Sequence, residues 1–450
     1  MTVKPTESSP RYHIETWGCQ MNELDTQRLA GQLEQQGFAR ADSADGADVI
    51  LLNSCSVREK AEHKAYSRLG EYRLLKKDKP DLKIGFCGCV AQQEGERALQ
   101  RVKDLDFVVG TGRVGEFSKV FRQVQATGER LVAVGFPDDR EYDLDSISRD
   151  GQYKGMVTIV EGCNKRCTFC IVPTTRGPER SRTMAEILAE VEALVTRGFR
   201  EIELLGQTVN HWVEPERGEA AGADFADLLD AVARVPGVER LRFVTSYPRD
   251  FTQDMVDQFA RHANISGYLH LPVQSGSNAV LRRMGRGYEI DSYYDLIDRL
   301  RIARPNLNLS TDIIVGFPGE TEADFQATMD LLERVRYGSV YAFKYSPRPG
   351  TPALRLKDAP VPEAEADRRL QALFALQGQI QREFNESLVG ERVDALVTGP
   401  SKQPGYWNGR TDCHRVIHFP EQGEAAVEPG SIIPVDVVRA NAHSLMGRIA

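Results

Sequence analysis

Three closely spaced cysteines are the strongest chemical signal in the sequence. Cys163, Cys167 and Cys170 stand in the run Glu-Gly-Cys-Asn-Lys-Arg-Cys-Thr-Phe-Cys, a C-x3-C-x2-C pattern that directly follows a short apolar segment. Thiolates bind zinc or the irons of an iron–sulfur cluster. A structural zinc site normally takes four protein ligands, and the next histidine along the chain is the distant His211. Three thiolates therefore favour a [4Fe-4S] cluster with one open iron, and a zinc site is the alternative.

A second group of cysteines is spread over the first hundred residues. Cys19, Cys55 and Cys89 each follow a strand-like segment, in Thr-Trp-Gly-Cys-Gln-Met-Asn, Asn-Ser-Cys-Ser and Cys-Gly-Cys-Val-Ala-Gln. The carboxyl ends of parallel strands share one sheet edge, where open α/β folds bind ligands, so we expect the three thiols to converge. Three unrelated buried cysteines are the alternative. Cys87 competes with Cys89, because residues 87 and 89 of an extended strand point the same way.

Alternating β-rich and amphipathic segments must position these cysteines. In the first part of the chain this alternation predicts a doubly wound parallel sheet. The acidic stretch 137–150 lacks an apolar period and is predicted to be a linker. The predicted strands are residues 12–16, 48–53, 83–86 and 106–109, with a helix over 22–36.

The same alternation restarts near residue 153 and gives six βα units, which predict an incomplete (β/α)6 barrel. Thr183 and Glu186 form a capping-box pattern at the start of one connecting helix, and Gly198 can end it. A helix over 368–383 is expected to close this part. The predicted strands are residues 156–160, 202–205, 241–244, 268–271, 310–315 and 340–345.

The last segment has no helical period. Strand-like runs at 393–398, 415–419 and 432–438 are separated by Gly, Pro and Asn, and they predict a small antiparallel β-barrel. We therefore expect an α/β protein with three domains, over residues 1–140, 150–383 and 384–450.

Composition limits the classes of function. The 450 residues are 41% hydrophobic and 27% charged, which excludes collagen-like and largely disordered chains. We see no secretory signal and no apolar run of roughly 18 residues, so no membrane association is expected and the cytoplasm is the predicted location. The eight cysteines are accordingly interpreted as thiols or metal ligands. A net charge of -8 argues against bulk attraction to nucleic acid and leaves room for a local basic surface.

The C-x3-C-x2-C motif resembles the signature of the radical S-adenosylmethionine superfamily, and with Cys19, Cys55, Cys89 and the β-rich tail the whole chain resembles the methylthiotransferases. The resemblance implies an N-terminal cysteine domain, a radical S-adenosylmethionine barrel and a TRAM domain. It also implies two [4Fe-4S] clusters, one on each cysteine group, with S-adenosylmethionine on the open iron of the barrel cluster. The family motif Gly-Cys-Val-Ala-Gln selects Cys89 over Cys87. Gln207, in Leu-Leu-Gly-Gln after the second barrel strand, is a candidate contact for the cofactor.

Within the family, Thr-Trp-Gly-Cys-Gln-Met-Asn and Ser-Cys-Ser-Val-Arg-Glu-Lys-Ala resemble the branch acting on N(6)-dimethylallyladenosine next to the tRNA anticodon, at position 37. The resemblance implies conversion to the 2-methylthio derivative, with two molecules of S-adenosylmethionine per turnover. It further implies the tRNA anticodon loop, a sulfur donor and an electron donor such as flavodoxin or ferredoxin as partners of a monomeric enzyme. Alternatives are methylthiotransferases acting on threonylcarbamoyl-adenosine or on a ribosomal-protein aspartate, and a non-catalytic RNA-binding protein with structural metal sites.

Two basic regions are candidate RNA contacts, and ordinary solvated charge is the alternative for both. One lies around the barrel cysteines, where Glu161 and Glu179 oppose five basic residues and leave a local excess of three positive charges. The basic residues are Lys165, Arg166, Arg176, Arg180 and Arg182. The other comprises Arg410 and Arg415 in the last segment. Nearby Tyr406 and Trp407 are predicted either to stack on a base from a loop or to belong to the core.

Overall fold

The structure is a computed structural model that describes residues 9–56, 59–137, 147–149, 153–216, 218, 220, 222–421 and 427–450. By its internal contacts the chain divides into two compact units. The first comprises the residues up to 151 together with 161–165 and 171–179, and the second holds the remainder. Most of the predicted linker 137–150 lies outside the described residues.

The first unit is built on one six-stranded parallel sheet. Its strands are β1 (Arg11–Trp17), β2 (Ala39–Arg40), β3 (Val49–Ser54), β4 (Lys83–Gly88), β5 (Phe107–Val109) and β6 (Leu131–Ala133). Its helices are α1 (Gln20–Gln35), α2 (Glu59–Leu75), α3 (Cys89–Glu94), α4 (Glu96–Arg101), α5 (Phe117–Thr127) and α6 (Val172–Arg176). Every residue of β3 is buried, as expected for a strand covered by helices on both faces.

The strand order β2-β1-β3-β4-β5-β6 confirms the doubly wound prediction. The chain reverses its direction of travel across the sheet between β1 and β3, which is the place where such folds open a crevice for ligands. Two separate apolar clusters lie in this unit, one with Phe86 and Leu69 and the other with Phe107 and Phe121. They are the two layers that the sheet packs against its helices.

The second unit begins with the predicted βα alternation. Its strands are β7 (Gly155–Thr158), β8 (Val160–Glu161), β9 (Arg180–Ser181), β10 (Glu201–Leu205), β11 (Arg240–Phe243), β12 (Tyr268–His270), β13 (Asn308–Val315) and β14 (Ser339–Lys344). Its helices are α7 (Met184–Thr196), α8 (Phe225–Ala233), α9 (Gln253–Arg261), α10 (Asn278–Arg283), α11 (Ile290–Ala303), α12 (Glu322–Val335) and α13 (Glu363–Glu386).

Six of these strands form a parallel run in the order β7-β10-β11 and β12-β13-β14. The two halves are joined by a parallel bridge between Leu241 and Ile265. Within the described residues β7 does not pair with β14, so the run is an incomplete barrel, as predicted. The capping box of Thr183 and Glu186 at the start of α7 is also as predicted.

The chain ends in a closed five-stranded barrel in the order β15-β16-β17-β19-β18. Its strands are β15 (Arg392–Pro400), β16 (Tyr406–Thr411), β17 (Val416–Pro420), β18 (Ile432–Ala440) and β19 (Ser444–Ile449). Four of the five pairings are antiparallel and β17–β19 is parallel, which differs from a purely antiparallel barrel. Strands β16 and β19 were not predicted, because each contains a glycine that resembles a turn signal. Both glycines lie where a Cβ would come within 3.0 Å of a neighbouring strand.

Candidate functional site: two cysteine groups

Cys19, Cys55 and Cys89 meet at one edge of the parallel sheet in the first unit. They directly follow β1, β3 and β4, so that Cys19 and Cys55 flank the point where the strand order reverses. The Cys55 thiol lies within hydrogen-bonding distance of the sulfurs of both Cys19 and Cys89. The predicted convergence is therefore present in the structure.

The pKa values of the three thiols are shifted in different directions. The hydrogen bond from Cys55 lowers the pKa of Cys19 to about 6, although burial acts in the opposite direction. Contact with Cys55 likewise lowers the pKa of Cys89 to about 7. Contact with Cys19 and Cys89, together with burial, raises the pKa of Cys55. Contact with Cys55 thus favours the thiolate form of Cys19 and Cys89, and the thiolate is the form that binds metal.

Two buried asparagines hold the first two cysteine loops together. Asn22 Nδ2 donates to Asn53 Oδ1 at 3.1 Å, and Asn53 Nδ2 donates in return to the Asn22 carbonyl at 2.9 Å. Asn22 Oδ1 also accepts a hydrogen bond from Cys19 Sγ at 3.5 Å. The pair links the first turn of α1 to the end of β3. Neither asparagine was predicted to have this role, although both stand in the motifs that surround the cysteines.

The structure separates Cys87 from Cys89. Cys87 is the last strand-directed side chain of β4 and is fully buried in the apolar cluster that contains Phe107. Gly88 then takes φ +93°, and Cys89 begins α3. A Cβ on Gly88 would lie 2.5 Å from the Ser54 carbonyl, so this turn requires glycine. The two cysteines do not follow one extended strand, and only Cys89 joins the other two thiols.

Two ion pairs involve residues of α1, the helix that follows Cys19. Arg176 Nη1 lies 2.7 Å from Asp25 Oδ2, and both side chains are almost fully buried. Arg28 Nη1 lies 3.2 Å from Glu161 Oε1. Burial raises the pKa of Asp25, while the positive charge of Arg176 opposes that shift. Arg176 also lowers the pKa of Cys19, after the larger effects of Cys55 and burial.

The second cysteine group comprises Cys163, Cys167 and Cys170. Cys163 belongs to the first unit, where its N–H donates to the Gly177 carbonyl at 3.1 Å. Cys167 and Cys170 belong to the second unit, where the Cys170 N–H donates to the Cys167 carbonyl at 3.1 Å. Arg286 Nη1 donates to Cys167 Sγ at 3.5 Å. Arg286 was not predicted as a site residue, because it lies far from the C-x3-C-x2-C motif in sequence.

Gln207, the candidate cofactor contact, lies just beyond β10 and is half-buried. Cys413 lies in the last barrel, where its sulfur is 3.2 Å from Thr411 Oγ1. Its place in that barrel agrees with a structural thiol.

The basic residues predicted as RNA contacts near the barrel cysteines differ in their exposure to solvent. Arg176 and Arg182 are buried in ion pairs with Asp25 and Glu190, and so they cannot belong to an exposed basic surface. Arg166 is exposed, whereas Lys165 and Arg180 are half-buried.

The predicted contacts in the last barrel also need correction. Arg415 is buried and donates to the Gly338 carbonyl. This hydrogen bond anchors the small barrel to the βα barrel. Tyr406 and Trp407 lie on β16, and Trp407 packs against the barrel core, which agrees with the core alternative for this residue. Arg410 is half-buried on the same strand.

The donor chemistry of the site suits iron–sulfur clusters. In the described part of the chain, no group of three or more His, Cys, Asp or Glu side chains is arranged to hold a single metal ion. A [4Fe-4S] cluster instead takes one thiolate on each iron, which matches three converging cysteines. The part of the chain that the structure describes also contains no helix both long and apolar enough to span a membrane.

Comparisons with known families match consecutive parts of the chain. Residues 11–110 match Uncharacterized protein family UPF0004, residues 157–332 match the Radical SAM superfamily, and residues 386–450 match the TRAM domain. Among solved structures, the radical S-adenosylmethionine methyltransferase TsrM from Kitasatospora setae, with cobalamin and a [4Fe-4S] cluster bound, is 15% identical with a TM-score of 0.55. That likeness covers 94% of this chain and 82% of TsrM, and it shows the fold alone.

Full-length relatives are much closer in sequence. The tRNA-2-methylthio-N(6)-dimethylallyladenosine synthase of Anaeromyxobacter dehalogenans (strain 2CP-C) is 45% identical, over 99% of this chain and 96% of the relative. The protein of the same name from Ruegeria pomeroyi is also 45% identical, over 97% of this chain and 98% of the relative.

The fold and the two cysteine groups define a radical S-adenosylmethionine enzyme. Its cofactors are [4Fe-4S] clusters and S-adenosylmethionine. The chain belongs to the family of the tRNA-2-methylthio-N(6)-dimethylallyladenosine synthases.

Proposed function

We propose that this protein is a tRNA methylthiotransferase that converts N(6)-dimethylallyladenosine at position 37 to its 2-methylthio derivative. The observation that carries the proposal is the convergence of Cys19, Cys55 and Cys89 in a chain that also bears the C-x3-C-x2-C motif. Radical hydrogen abstraction needs one cluster, and the second thiol group supplies a place for sulfur. The full-length likeness to synthases of this name gives the substrate.

The residues divide into two sets of ligands. Cys163, Cys167 and Cys170 hold one cluster, and Cys19, Cys55 and Cys89 hold the other. When bound, the clusters and S-adenosylmethionine supply a carbon radical that can remove hydrogen from an unreactive C–H bond, here C-2 of the adenine. Two molecules of S-adenosylmethionine serve each turnover, one as radical source and one as methyl donor.

Other side chains orient these ligands. The Asn22–Asn53 amide pair fixes the loop of Cys19 against the strand that leads to Cys55. Arg286 donates to the sulfur of Cys167 and so adds positive charge beside the barrel cluster. Gln207 follows the second barrel strand at the carboxyl end, where βα barrels place their active sites, and is the proposed contact to S-adenosylmethionine.

The reaction requires partners. We expect a monomer that binds the tRNA anticodon loop, accepts electrons from a carrier such as flavodoxin or ferredoxin, and takes sulfur from a separate donor. We expect the enzyme to act in the cytoplasm, together with its tRNA substrate. Of the predicted RNA-contact arginines near the barrel cysteines, Arg166 is exposed and therefore able to meet a phosphate.

The test combines a deletion strain with mass spectrometry of its tRNA nucleosides. The wild-type chain should restore the 2-methylthio derivative of N(6)-dimethylallyladenosine, and Cys163→Ala and Cys19→Ala should each fail to do so. Cys413→Ala is the matched control and should restore the product. Restoration of a threonylcarbamoyl-adenosine derivative, or of a ribosomal-protein aspartate modification, would contradict the proposed substrate. Anaerobically purified wild type should hold about eight irons per chain, and stoichiometric zinc would instead support a binding module.

A further inference from the structure

A surface segment of the second unit packs directly on the loop that carries Cys167 and Cys170. Thr168 follows Cys167 in sequence, and its carbonyl accepts a hydrogen bond from the Ala353 N–H at 2.8 Å. Ala353 lies in a short 3-10 helix, Pro352–Arg355. One backbone hydrogen bond therefore joins this segment to the residue beside a proposed cluster ligand.

Further contacts hold the cysteine loop and the segment in place. The Thr168 N–H donates to the Met284 carbonyl at 2.9 Å. Phe169 packs against an apolar cluster that contains Met284 and Ala353, and Leu356 packs against the same cluster. The outer side of the segment is thus preorganised, which reduces the entropy that is lost when a partner binds.

The exposed side chains of the segment include one large aliphatic residue and two cations. Leu354 is 51% exposed, and Arg355 and Lys357 are exposed as well. Arg166, the exposed residue before Cys167, adds a third cation on the cysteine loop itself. Among the residues that the structure describes, none of these three cations has a carboxylate in an ion pair.

The charge of this region is positive. Asp358 is the only acidic residue between positions 352 and 359, so the three cations leave an excess of two positive charges. Arg282 is not counted, because it pairs with the exposed Glu289 at 3.3 Å. Uncompensated positive charge attracts a partner of opposite charge and raises the rate of their encounter.

Leu354 distinguishes a protein partner from RNA. A phosphate backbone is bound by cations, and unstacked bases are bound by aromatic rings or arginine planes, so an exposed aliphatic side chain serves neither. The segment 352–359 contains no aromatic residue. Interfaces of transient redox partners are small, and protein interfaces combine an apolar centre with a polar rim. An exposed leucine between cations fits that description.

We propose that Leu354, Arg355 and Lys357, here called the Leu354 surface, are the docking site of a small acidic protein that carries single electrons. The inference deepens the proposed function and rests on it, because it takes the barrel cysteines as cluster ligands. In the docked complex one electron passes from the reduced carrier to the barrel cluster. The carrier is thereby oxidised by one electron, and the cluster is reduced by one.

The path for this electron is short. From Leu354 it runs through Ala353, across the hydrogen bond to the Thr168 carbonyl, and on to the adjacent Cys167. Electron transfer slows steeply with distance, so a carrier gains by docking where the cysteine loop meets the surface.

The first measurement is the Kd of the full-length holoenzyme for oxidised flavodoxin with acidic residues around its flavin, by calorimetry at low ionic strength. Arg355→Glu/Lys357→Glu should raise this Kd about tenfold or more. Leu354→Ala should raise it several-fold and leave its dependence on salt unchanged. The matched control is Arg197→Glu/Arg439→Glu, which reverses two exposed charges at the end of α7 and on β18 and should keep the wild-type Kd.

A second measurement compares two reductants. With reduced flavodoxin below the wild-type Kd, Arg355→Glu/Lys357→Glu should form the tRNA product about tenfold more slowly than wild type. With dithionite, a small molecule that needs no docking surface, it should match wild type. An unchanged flavodoxin Kd in both Arg355→Glu/Lys357→Glu and Leu354→Ala would overturn the inference. If the charge reversal lowers the iron content, Arg355→Gln/Lys357→Gln repeats the test without reversed charges.

Two further outcomes are distinguishable from these. If Arg355→Glu/Lys357→Glu weakens tRNA binding and keeps the wild-type flavodoxin Kd, the Leu354 surface is an RNA contact and the inference is wrong. Failure of the proposed function would instead appear in the wild type, as no methylthiolated tRNA with dithionite or with flavodoxin, whatever the flavodoxin affinity of the variants.

Discussion

Arg286 Nη1 lies 3.5 Å from Cys167 Sγ, and further contacts hold the arginine side chain in place. Its other amino group donates to the Pro272 carbonyl at 2.6 Å, and its guanidinium stacks over the Tyr247 ring at 4.4 Å. The side chain is buried, so its charge acts on the cysteine sulfur with little screening by water. A hydrogen bond to a cluster ligand stabilises the reduced cluster more than the oxidised one, because reduction adds negative charge.

Arg286→Gln should therefore make the barrel cluster harder to reduce. Loss of the charged donor is expected to move the midpoint potential negative by roughly 60 mV, which is a tenfold change for a one-electron couple. Potentiometric titration followed by electron paramagnetic resonance, in the Cys19→Ala background, measures it. Arg282→Gln, at an exposed arginine four residues earlier, should leave the potential unchanged. An unaltered midpoint in Arg286→Gln would show that the contact has no electronic effect.

Cys87 and Cys89 offer a direct test of the N-terminal ligand set. Cys89→Ala should reduce the iron content of the purified protein from about eight to about four per chain, because one cluster loses a ligand. Cys87→Ala should keep all the iron and lower the free energy of unfolding by roughly 1 kcal/mol, the cost of removing a small buried side chain. Iron analysis and thermal unfolding measure the two effects. Equal loss of iron in both variants would contradict the assignment to Cys89.

The parts of the fold governed by periodicity could be predicted from the sequence. The boundaries of parallel strands such as β3 and β13 agree with prediction to within about two residues. Convergence of the three N-terminal thiols also followed from a general property of parallel sheets. The strands β16 and β19 were missed, because Gly409 and Gly447 are required there by close strand packing and not by a turn.

Side-chain partners could not be predicted in the same way. The sequence gives Arg176 and Arg182 as members of a basic run, and nothing local reveals that Asp25 and Glu190 bury them. Arg286 donates to Cys167 across more than a hundred residues of sequence. Such contacts depend on the tertiary arrangement, which a motif does not contain. The predicted domain boundaries and the ligand roles of the six cysteines stay predictions.

Arg415 should act as a structural anchor and not as a contact for tRNA. Its Nη2 donates to the Gly338 carbonyl at 2.5 Å, and its guanidinium lies over the Phe384 ring at 4.7 Å. Arg415→Met should lower the free energy of unfolding by about 2 kcal/mol, because it leaves a buried carbonyl without its charged donor. It should not alter the slope of tRNA affinity against salt, since a lost phosphate contact would reduce that slope by about one.

Chemical denaturation and tRNA binding at several salt concentrations check both statements. Arg439→Gln, at an exposed arginine on β18, is the control for stability and should have no measurable effect. A reduced salt slope in Arg415→Met, with unchanged stability, would return Arg415 to the RNA-binding surface.

His414 should make the protein less stable as the pH falls below neutrality. It lies in the turn between β16 and β17 with its ring 4.7 Å from that of Tyr268. Burial lowers the pKa of His414 well below its usual value, and neighbouring cations lower it further, namely Arg242, Arg410, Lys154 and Arg415. The folded state therefore holds this histidine neutral, whereas the unfolded chain binds a proton below about pH 6.5. The stability contribution is complete above that pH and is lost as the pH falls, by about 1 kcal/mol per pH unit.

His414→Asn removes the titrating group and keeps a residue type that tolerates the left-handed backbone, which has φ +66° here. Thermal unfolding midpoints between pH 7 and pH 5 should fall less steeply in His414→Asn than in the wild type. His443→Asn, at an exposed histidine before β19, should follow the wild-type curve. Parallel curves for wild type and His414→Asn would mean that the His414 ring gains a proton in the folded protein as easily as in the unfolded chain. The steeper fall in the wild type is expected because four cations surround the ring and no carboxylate among the described residues is hydrogen-bonded to it.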